Sequence, residues 1–382
     1  MLHKDSLRAG RTYSKHMRLT LFWSFYQGYL ESFYESHPQL EERTYQYQVN
    51  LLLSDYFGWP PALAKKLECL GYEVQILIVN AEPLQYKWAE ENGFHFTKNW
   101  QYEIAYEQVR QFQPEILWIG SMFNFYGDYL QTLRQICRKV FAWIACPISP
   151  SLNLSGIDCV LTSHINFRDS FRRQGQASER LFPAFEPNIL NLLDNVKSDI
   201  DCSFIGNLTW AHLKRIQVLK QLSKQTPIRI WGNRPTLLSK GLLKKGYIRT
   251  LLEANSLRTN IQSSIWGMEM YRILARSCMT VNVHGEVAGG IAGNIRMFEA
   301  TGVGTLLITE NSPNIRELFD PNKEVVVYDT INDLVDKINY YIQYPRQALK
   351  IAKAGQLKTL ESHTTSYRSE QLAKIFNLYI SK

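Results

Sequence analysis

Residues 282–309, NVHGEVAGGIAGNIRMFEATGVGTLLIT, constrain the fold more than any other part of the chain. The apolar residues 279–283 predict a buried strand, and residues 305–309 predict a second one. The glycines from 285 to 293 allow tight turns and a close approach of the backbone to a ligand. A helix joins this loop to the second strand. Strand, glycine-rich loop, helix and strand in this order are typical of a phosphate-binding unit in an α/β protein.

The start of the helix favours an anionic ligand. Asn294 is the predicted N-cap, and the first turn offers free N–H groups at the positive end of the helix dipole. Arg296 opposes this dipole by about 0.3–1 kcal/mol unless an anion lies in front of it. We therefore expect Arg296 to face phosphate, and Glu299 to accept hydrogen bonds from a ribose diol. The alternative is a mobile surface loop with Arg296 and Glu299 as ordinary solvated residues.

Strand and helix signals alternate along the whole chain, which predicts an α/β fold with parallel sheets. The predicted strands are residues 19–25, 73–79, 116–119, 140–145 and 159–162, and then 201–205, 228–231, 279–283, 305–309 and 325–328. A length of 382 residues suits two domains of about 180 residues each. A stretch with two prolines and then a polar run separates the two sets of strands. We place the boundary near residue 195, which gives domains 1–195 and 196–382.

Composition indicates an ordinary globular protein, with 45% hydrophobic and 20% charged residues. No apolar run approaches the ~20 residues that cross a bilayer, and the polar, basic start lacks the apolar core of a secretory signal. We therefore expect a cytoplasmic protein, with the inner face of the membrane as a second location. The six scattered cysteines form no C-x-x-C pair and predict reduced thiols.

A net charge of +8 is compatible with nucleic acid, an anionic membrane surface or small anions. The densest basic patch, residues 240–249, favours solvated surface over lipid contact. We therefore expect no nucleic-acid partner and at most peripheral membrane contact. The first strand is followed by a single glycine, Gly28, instead of G-x-G-x-x-G, which argues against a dinucleotide oxidoreductase.

Two further pairs of residues at strand ends are candidates for ligand contacts. Trp231 and Gly232 close one strand at the edge where ligands collect in open parallel sheets. A tryptophan there either stacks on a base or packs in the core. Asn282 and His284 share one face of another strand, where His284 either donates to phosphate or a sugar hydroxyl or has a structural role.

The segment NIRMFEATGVGTLLITENSPNIRELFDPNKEVVVYDTINDLVDKINYYI, followed by IAKAGQLKTLESHTTSYR, resembles the C-terminal half of the CgeB-type, or spore-maturation, glycosyltransferases. The resemblance extends over residues 200–380 and consists of several motifs in order. It implies the GT-B fold of group 1 glycosyl transferases, in which two Rossmann-like domains with parallel sheets face a central cleft. It also allows the C-terminal helix to cross back to the first domain.

The resemblance implies roles for residues around the donor. Glu299 occupies the position of the acid that binds the ribose of a nucleotide-sugar. Many relatives have a second acid eight positions earlier, where this chain has Ile291, and Glu286 is the nearest substitute. Gly206 and Asn207 correspond to the turn beside the donor diphosphate. The predicted donor-binding residues are Gly206, Asn207, Trp231, Gly232, Asn282, His284, Gly285, Gly290, Asn294, Arg296 and Glu299. Arg215, in the helix after the turn, is interpreted as a surface residue.

The N-terminal half is expected to bind the acceptor. Residues 23–38, WSFYQGYLESFYESHP, follow the first strand, and Tyr26, Gly28, Tyr29 and His37 are candidates to line the cleft. Aromatic faces stack on sugar rings, but such a cluster also suits a core. The sequence identifies no general base, so no catalytic residue is assigned.

The resemblance implies a glycosyltransferase of the hexosyltransferase type. It would move a sugar from a nucleotide-sugar donor to a glycan, a lipid-linked or a small-molecule acceptor, without a cofactor. No metal is expected, because GT-B enzymes use helix dipoles and basic side chains for the leaving diphosphate, and the D-x-D formed by Asp199 and Asp201 opens a strand. Two alternatives stay open. One is a nucleotide-sugar-binding protein without transferase activity, favoured by Ile291, and the other is a membrane or nucleic-acid adaptor, which rests on charge alone.

Overall fold

The computed structural model describes residues 17–120, 125–149, 152–193, 196–208, 212–233, 261–285 and 289–381. Within these ranges the chain forms two six-stranded parallel sheets, in the orders β2-β1-β3-β4-β5-β6 and β12-β11-β10-β7-β8-β9. The strands of the first sheet are β1 (Arg18–Trp23), β2 (Glu73–Ile78), β3 (Ile116–Ile119), β4 (Lys139–Trp143), β5 (Cys159–Thr162) and β6 (Ser178–Arg180). Those of the second are β7 (Ile200–Ile205), β8 (Ile228–Trp231), β9 (Ile261–Gln262), β10 (Ser277–Asn282), β11 (Leu306–Glu310) and β12 (Val326–Tyr328).

The ten predicted strands are all present. Strands that are buried on both faces of a parallel sheet are continuous apolar runs, and such runs are visible in the sequence. The two strands that the sequence did not indicate are β6 and β9, which have three and two residues and lie at sheet edges. Segments this short carry no periodic signal.

Helices connect the strands and cover both sheets. The first half contains α1 (Gln27–Ser36), α2 (Tyr45–Ser54), α3 (Trp59–Leu67), α4 (Glu82–Glu91), α5 (Trp100–Phe112), α6 (Asp128–Arg134) and α7 (Ile165–Arg173). The second contains α8 (Leu213–Gln225), α9 (Gly267–Arg276), α10 (Ile295–Gly302), α11 (Ile331–Gln343), α12 (Pro345–Ser362) and α13 (Thr365–Ile380). The hydroxyls of Thr330 and Thr364 cap α11 and α13. In the described ranges, no helix is long and apolar enough to cross a membrane.

The last helix crosses back to the first sheet, as predicted. Leu372, Ala373 and Phe376 of α13 are buried in the same core as Phe141 of β4. Before the helix begins, the chain pairs with Phe185 through two backbone hydrogen bonds of 2.9 Å, from Phe185 N to the carbonyl of residue 363 and from the amide of residue 365 to Phe185 O. The C-terminal helix therefore contributes to the core of the N-terminal half.

Candidate functional site

A cavity of about 510 Å³ lies between the carboxyl ends of the two sheets. The first sheet and its loops supply Trp23, Ser24, Phe25, Tyr26, Phe57, Gly58, Trp59, Gly120 and Trp143. The second half supplies Phe204, Ile205, Gly206, Asn207, His212, Arg215, Trp231, Gly232, Ser264, Ile265, Trp266, Met270, Val281, Asn282, Val283, Asn294, Ile295, Arg296 and Glu299. Every charged side chain in this lining belongs to the second half. The carboxyl ends of strands are where open α/β sheets bind ligands.

Arg296 and Glu299 lie in this cavity, but they contact each other. Arg296 Nη1 is 2.7 Å from Glu299 Oε2, and the Tyr271 hydroxyl donates to Glu299 Oε1 at 3.3 Å. Glu299 is only 4% exposed. Burial raises the pKa of Glu299, and Arg296 and Tyr271 oppose the rise. The alternative of two solvated surface residues is therefore wrong. Within the chain, the anion that offsets Arg296 is a carboxylate of the same helix.

Arg215 also lines the cavity, so its interpretation as a surface residue is wrong. Its side chain turns back from α8, and Nη1 donates to Asn207 O at 2.9 Å while Nη2 donates to Val283 O at 3.1 Å. Burial and then the charge of Arg296 lower the pKa of Arg215 to about 10. Helical periodicity could not reveal this position, because the side chain binds carbonyl groups just after β7 and β10, and the pattern of residues along the face of α8 does not indicate these partners.

The turn after β7 and the end of β8 pack closely against each other at two glycines, Gly206 and Gly232. A Cβ atom on Gly232 would lie 2.4 Å from the carbonyl oxygen of Gly206, so only glycine fits at this position. Leu208 N donates to Asn233 Oδ1 at 2.7 Å across the same contact. Trp231 is 6% exposed and belongs to a core cluster, so most of its ring has the structural role that the sequence left open.

Asn282 and Asn294 bind each other at the start of α10. Asn294 Nδ2 donates to Asn282 Oδ1 at 2.8 Å, and Asn282 Nδ2 donates to Asn294 Oδ1 at 3.1 Å. Asn294 occupies the N-cap position with an extended backbone, but its side chain makes no cap hydrogen bond. The predicted N-cap position is therefore confirmed, while the side chain of Asn294 is engaged by the neighbouring strand instead of by the helix. This pairing fixes the start of the helix against β10.

His284, Gly285 and Gly290 were predicted near the donor, but they are not part of the described lining. His284 is buried, and its backbone N–H donates to Glu310 Oε2 at 2.6 Å. Burial lowers the pKa of His284, which favours a neutral ring. Gly290 is exposed and has a φ of 79°, a conformation that favours glycine. Glu286, the predicted substitute acid, lies outside the described residues.

The glycine-rich loop approaches the first half of the chain. A Cβ atom on Gly293 would lie 3.0 Å from a ring carbon of Phe182 and 3.5 Å from the Cβ of Ser163. Next to Ser163, His164 is buried, and its Nδ1 has no hydrogen-bond partner among the described residues. Burial and then the charge of His284 lower the pKa of His164 to about 4. His164 could not be selected from sequence, because its neighbour across the cleft is far away in the chain.

Three of the four acceptor-side candidates cluster at one rim of the cavity. Tyr26 lines it, and its ring lies 5.9 Å from that of Trp266. Tyr29 is buried behind Tyr26, with its ring 4.3 Å from that of Phe57. A Cβ atom on Gly28 would lie 3.9 Å from the Trp266 ring. Tyr26 is therefore placed to contact a ligand, while Tyr29 and Gly28 support the rim.

His37 is not at the cavity. It follows α1, roughly 15 Å along the helix from Tyr26, and its Nδ1 lies 2.8 Å from Phe33 O. The sequence could not place it, because the helical course of residues 27–36 was not recognised. The cavity instead contains aromatic residues that were not selected from sequence, Trp59 at the start of α3 and Trp143 at the end of β4 among them. An aromatic residue at the carboxyl end of a predicted strand was the available signal.

Asp199 of the D-x-D pair forms an ion pair with Arg276, with two hydrogen bonds of 2.8 and 2.7 Å. In the part of the chain that the structure describes, no group of three or more His, Cys, Asp or Glu side chains is arranged to hold a metal ion.

Comparisons with known proteins agree with this architecture. Residues 214–374 match the family described as glycosyl transferase-like. Sucrose-phosphate synthase from Thermosynechococcus elongatus is similar in structure, with a TM-score of 0.58, 11% identity, and coverage of 96% of this chain and 99% of that chain. HepE from Anabaena, solved with UDP and glucose, has a TM-score of 0.58 and 11% identity over 95% of this chain and 100% of that chain. The sequence matches no curated protein.

At such low identity, the structural likeness shows the fold. The chain has the GT-B fold, with two α/β domains built on parallel sheets, and this confirms the predicted fold class. The family match over residues 214–374 supports its assignment to the glycosyltransferases. The matches do not single out the CgeB-type subfamily.

Proposed function

We propose that this chain transfers a sugar from a nucleotide-sugar to an acceptor, without a metal ion. The donor would occupy the part of the cavity formed by domain 196–382, and the acceptor the part formed by domain 1–195. The observation that carries the proposal is the presence of Arg215 and Arg296 in one cavity, beside the start of α10.

Two guanidinium groups in one partly buried cavity favour an anion between them. Burial and the charge of Arg296 both lower the pKa of Arg215, so the chain leaves this positive charge without full compensation. The Nε atoms of both arginines are buried and have no hydrogen-bond partner among the described residues. A diphosphate supplies several acceptor oxygens and negative charge, and charge-assisted bonds to it would strengthen as the leaving group develops in the transition state.

Glu299 has acceptor capacity left that a ribose diol would use, because its Oε2 has no hydrogen-bond partner among the described residues. A carboxylate has about four lone-pair sites. Arg296 and Tyr271 each contact one oxygen of Glu299. The remaining sites suit two hydroxyl donors, as the resemblance to CgeB-type enzymes implies. We therefore assign the nucleoside end of the donor to the Glu299 side and its diphosphate to the arginines, within a cytoplasmic enzyme of that subfamily.

The alternative function is binding of a nucleotide-sugar without transfer. Ile291 favours it, because this buried apolar residue stands where many relatives have an acid. Hydrolysis of the donor in the absence of acceptor distinguishes the two functions. We expect slow hydrolysis by the chain, whereas binding without turnover would support the alternative.

The donor site is tested by comparing nucleotides that differ only in phosphate. HepE was solved with UDP-glucose, so UDP-sugars come first in a thermal-shift screen that also includes GDP-, ADP- and TDP-sugars. A ligand at 100 times its dissociation constant raises the free energy of unfolding by about 2.7 kcal/mol. With the preferred base, we expect Arg215→Ala to weaken binding of the nucleoside diphosphate roughly tenfold or more and to leave nucleoside binding nearly unchanged.

Arg272→Ala is the matched control, because Arg272 is an exposed arginine outside the cavity lining and forms an ion pair with Glu269 at 3.6 Å. It should leave every affinity unchanged. Equal loss of affinity for nucleoside, monophosphate and diphosphate in Arg215→Ala would show that Arg215 only supports the fold, and the phosphate site would be misplaced.

A further inference from the structure

The first-sheet side of the cavity is an aromatic wall, formed by Trp23, Tyr26, Phe57, Trp59 and Trp143. Its members come from the ends of β1 and β4 and from the α1 and α3 regions, so the fold brings them together from distant parts of the chain. Among the described residues of domain 1–195 that line the cavity, none is Asp, Glu, Lys or Arg. The two halves of the cavity therefore differ in chemistry, because the described charged side chains of the lining all belong to the second half.

The aromatic wall also carries polar groups. Ser24 lies at the end of β1 and lines the cavity, and its Oγ is buried without a hydrogen-bond partner among the described residues. The indole Nε1 of Trp23 is in the same situation. Buried polar atoms without partners are unfavourable, so a bound hydroxyl group is a suitable partner after a small side-chain rotation. A wall that is entirely apolar would have no such requirement.

Tyr26 connects the aromatic wall to the donor side. Tyr26 is 58% exposed and lines the cavity together with Arg215, Arg296 and Glu299. Burial and then the charge of Glu299 raise the pKa of Tyr26, whereas Arg215 and Arg296 lower it. Tyr26 and these three charged residues line the same cavity, so Tyr26 lies where the aromatic wall meets the donor side. A ligand resting on the wall would thus meet the donor at this residue.

We infer that the acceptor is an uncharged sugar that stacks on the aromatic wall and directs one hydroxyl past Tyr26 toward the donor. This inference rests on the proposed function. A sugar has C–H faces that pack on aromatic rings and hydroxyls that satisfy Ser24 and the indole N–H of Trp23. A phosphorylated acceptor would find no cation on the wall, and the two arginines would be occupied by the donor diphosphate. A flat aromatic or lipid acceptor would leave Ser24 without a partner.

The test measures transfer from the preferred nucleotide-sugar, with the full chain, to chosen acceptors. The probes are methyl glucoside and lactose as neutral sugars, glucose 6-phosphate as a charged counterpart, p-nitrophenol as an aromatic alcohol, and a short polyprenyl phosphate. We expect transfer to a neutral sugar, with kcat/KM at least roughly tenfold above that of the phosphorylated sugar. Tyr26→Ala and Trp143→Ala should lower the ratio of transfer to donor hydrolysis roughly tenfold. Tyr26→Phe should restore most of it.

Tyr47→Ala is the matched control, because Tyr47 is an exposed tyrosine on α2 and is not part of the cavity lining. It should leave the ratio unchanged. The inference is overturned if a phosphorylated or aromatic probe is the better acceptor. It is also overturned if the donor is hydrolysed but no transfer to a neutral sugar is detected. Absence of both donor binding and donor hydrolysis would instead refute the proposed function itself.

Discussion

Replacement of Arg296 by alanine should have opposite effects on stability, depending on whether the helix dipole or the ion pair with Glu299 dominates. From sequence, the arginine is a cation in the first turn of a helix, and its removal should relieve about 0.3–1 kcal/mol of unfavourable interaction. In the structure it is the partner of Glu299, which is 4% exposed. Removing one partner of a buried ion pair costs about 3–5 kcal/mol, because the other charge stays buried without compensation. We therefore expect Arg296→Ala to destabilise the protein.

The expected magnitude lies below that full cost. The Tyr271 hydroxyl remains as a donor to Glu299, and Arg296 itself keeps some contact with solvent. Relief of the helix dipole offsets a further part of the loss. The free energy of unfolding should fall by about 2–4 kcal/mol at neutral pH.

The pH dependence identifies the carboxylate as the cause. Burial raises the pKa of Glu299 above its ordinary value of 4.5, so the folded protein binds this proton more tightly than the unfolded chain. The stability that this tighter proton binding contributes is fully present below pH 4.5, and it is lost as pH rises through the pKa of Glu299 in the folded protein. Without Arg296 that pKa rises further. The deficit of Arg296→Ala should therefore be small near pH 4.5 and grow toward neutral pH.

The measurement is urea unfolding of the wild type and the variants between pH 4.5 and pH 8, the lower limit being the ordinary pKa of Glu299. In a Glu299→Gln background, Arg296→Ala should cost little, and its effect should not depend on pH. If Arg296→Ala is as stable as the wild type at neutral pH, the ion pair does not form in solution, and the helix dipole alone accounts for the effect of Arg296 on stability. A loss that does not change with pH would show that Glu299 is not its origin.

Three further changes have definite expected results. Glu299→Gln should weaken nucleotide-sugar binding roughly tenfold or more in calorimetry, since each charge-assisted bond is worth about 1.5–3 kcal/mol; unchanged affinity would remove Glu299 from the ribose site. Gly232→Ala should lower both the melting temperature and donor affinity, because its Cβ would lie 2.4 Å from Gly206 O; a melting temperature equal to that of the wild type would contradict this packing. Asp55→Ala should lower the free energy of unfolding by about 0.5–2 kcal/mol, because Asp55 Oδ1 accepts the Met268 N–H of α9 at 2.9 Å across the two domains. Asp55→Asn keeps an acceptor for the Met268 N–H and should lose less free energy of unfolding. Equal losses for the two variants in urea unfolding would argue against this capping of α9 by Asp55.

The sequence by itself determined the two sheets and the position of the phosphate-binding unit. Strands buried on both faces must be apolar at every position, so they appear as uninterrupted runs. The signal for the glycine-rich loop and the helix after it is also local. A left-handed backbone conformation, such as the φ of 79° at Gly290, favours glycine whatever the tertiary surroundings are. Glu299 could be selected from its position on that helix. Such features depend on neighbours in the chain.

Only the tertiary structure decided which side chains meet. It paired Arg296 with Glu299, turned Arg215 back to the ends of β7 and β10, and left His37 outside the cavity. It also assembled the aromatic wall from strand and helix ends that lie far apart in sequence. The physical reason is that periodicity fixes the face on which a residue lies, whereas the partner of that face depends on which elements pack together. The aromatic wall of the first half and the charged side chains of the second half are therefore properties of the assembled fold.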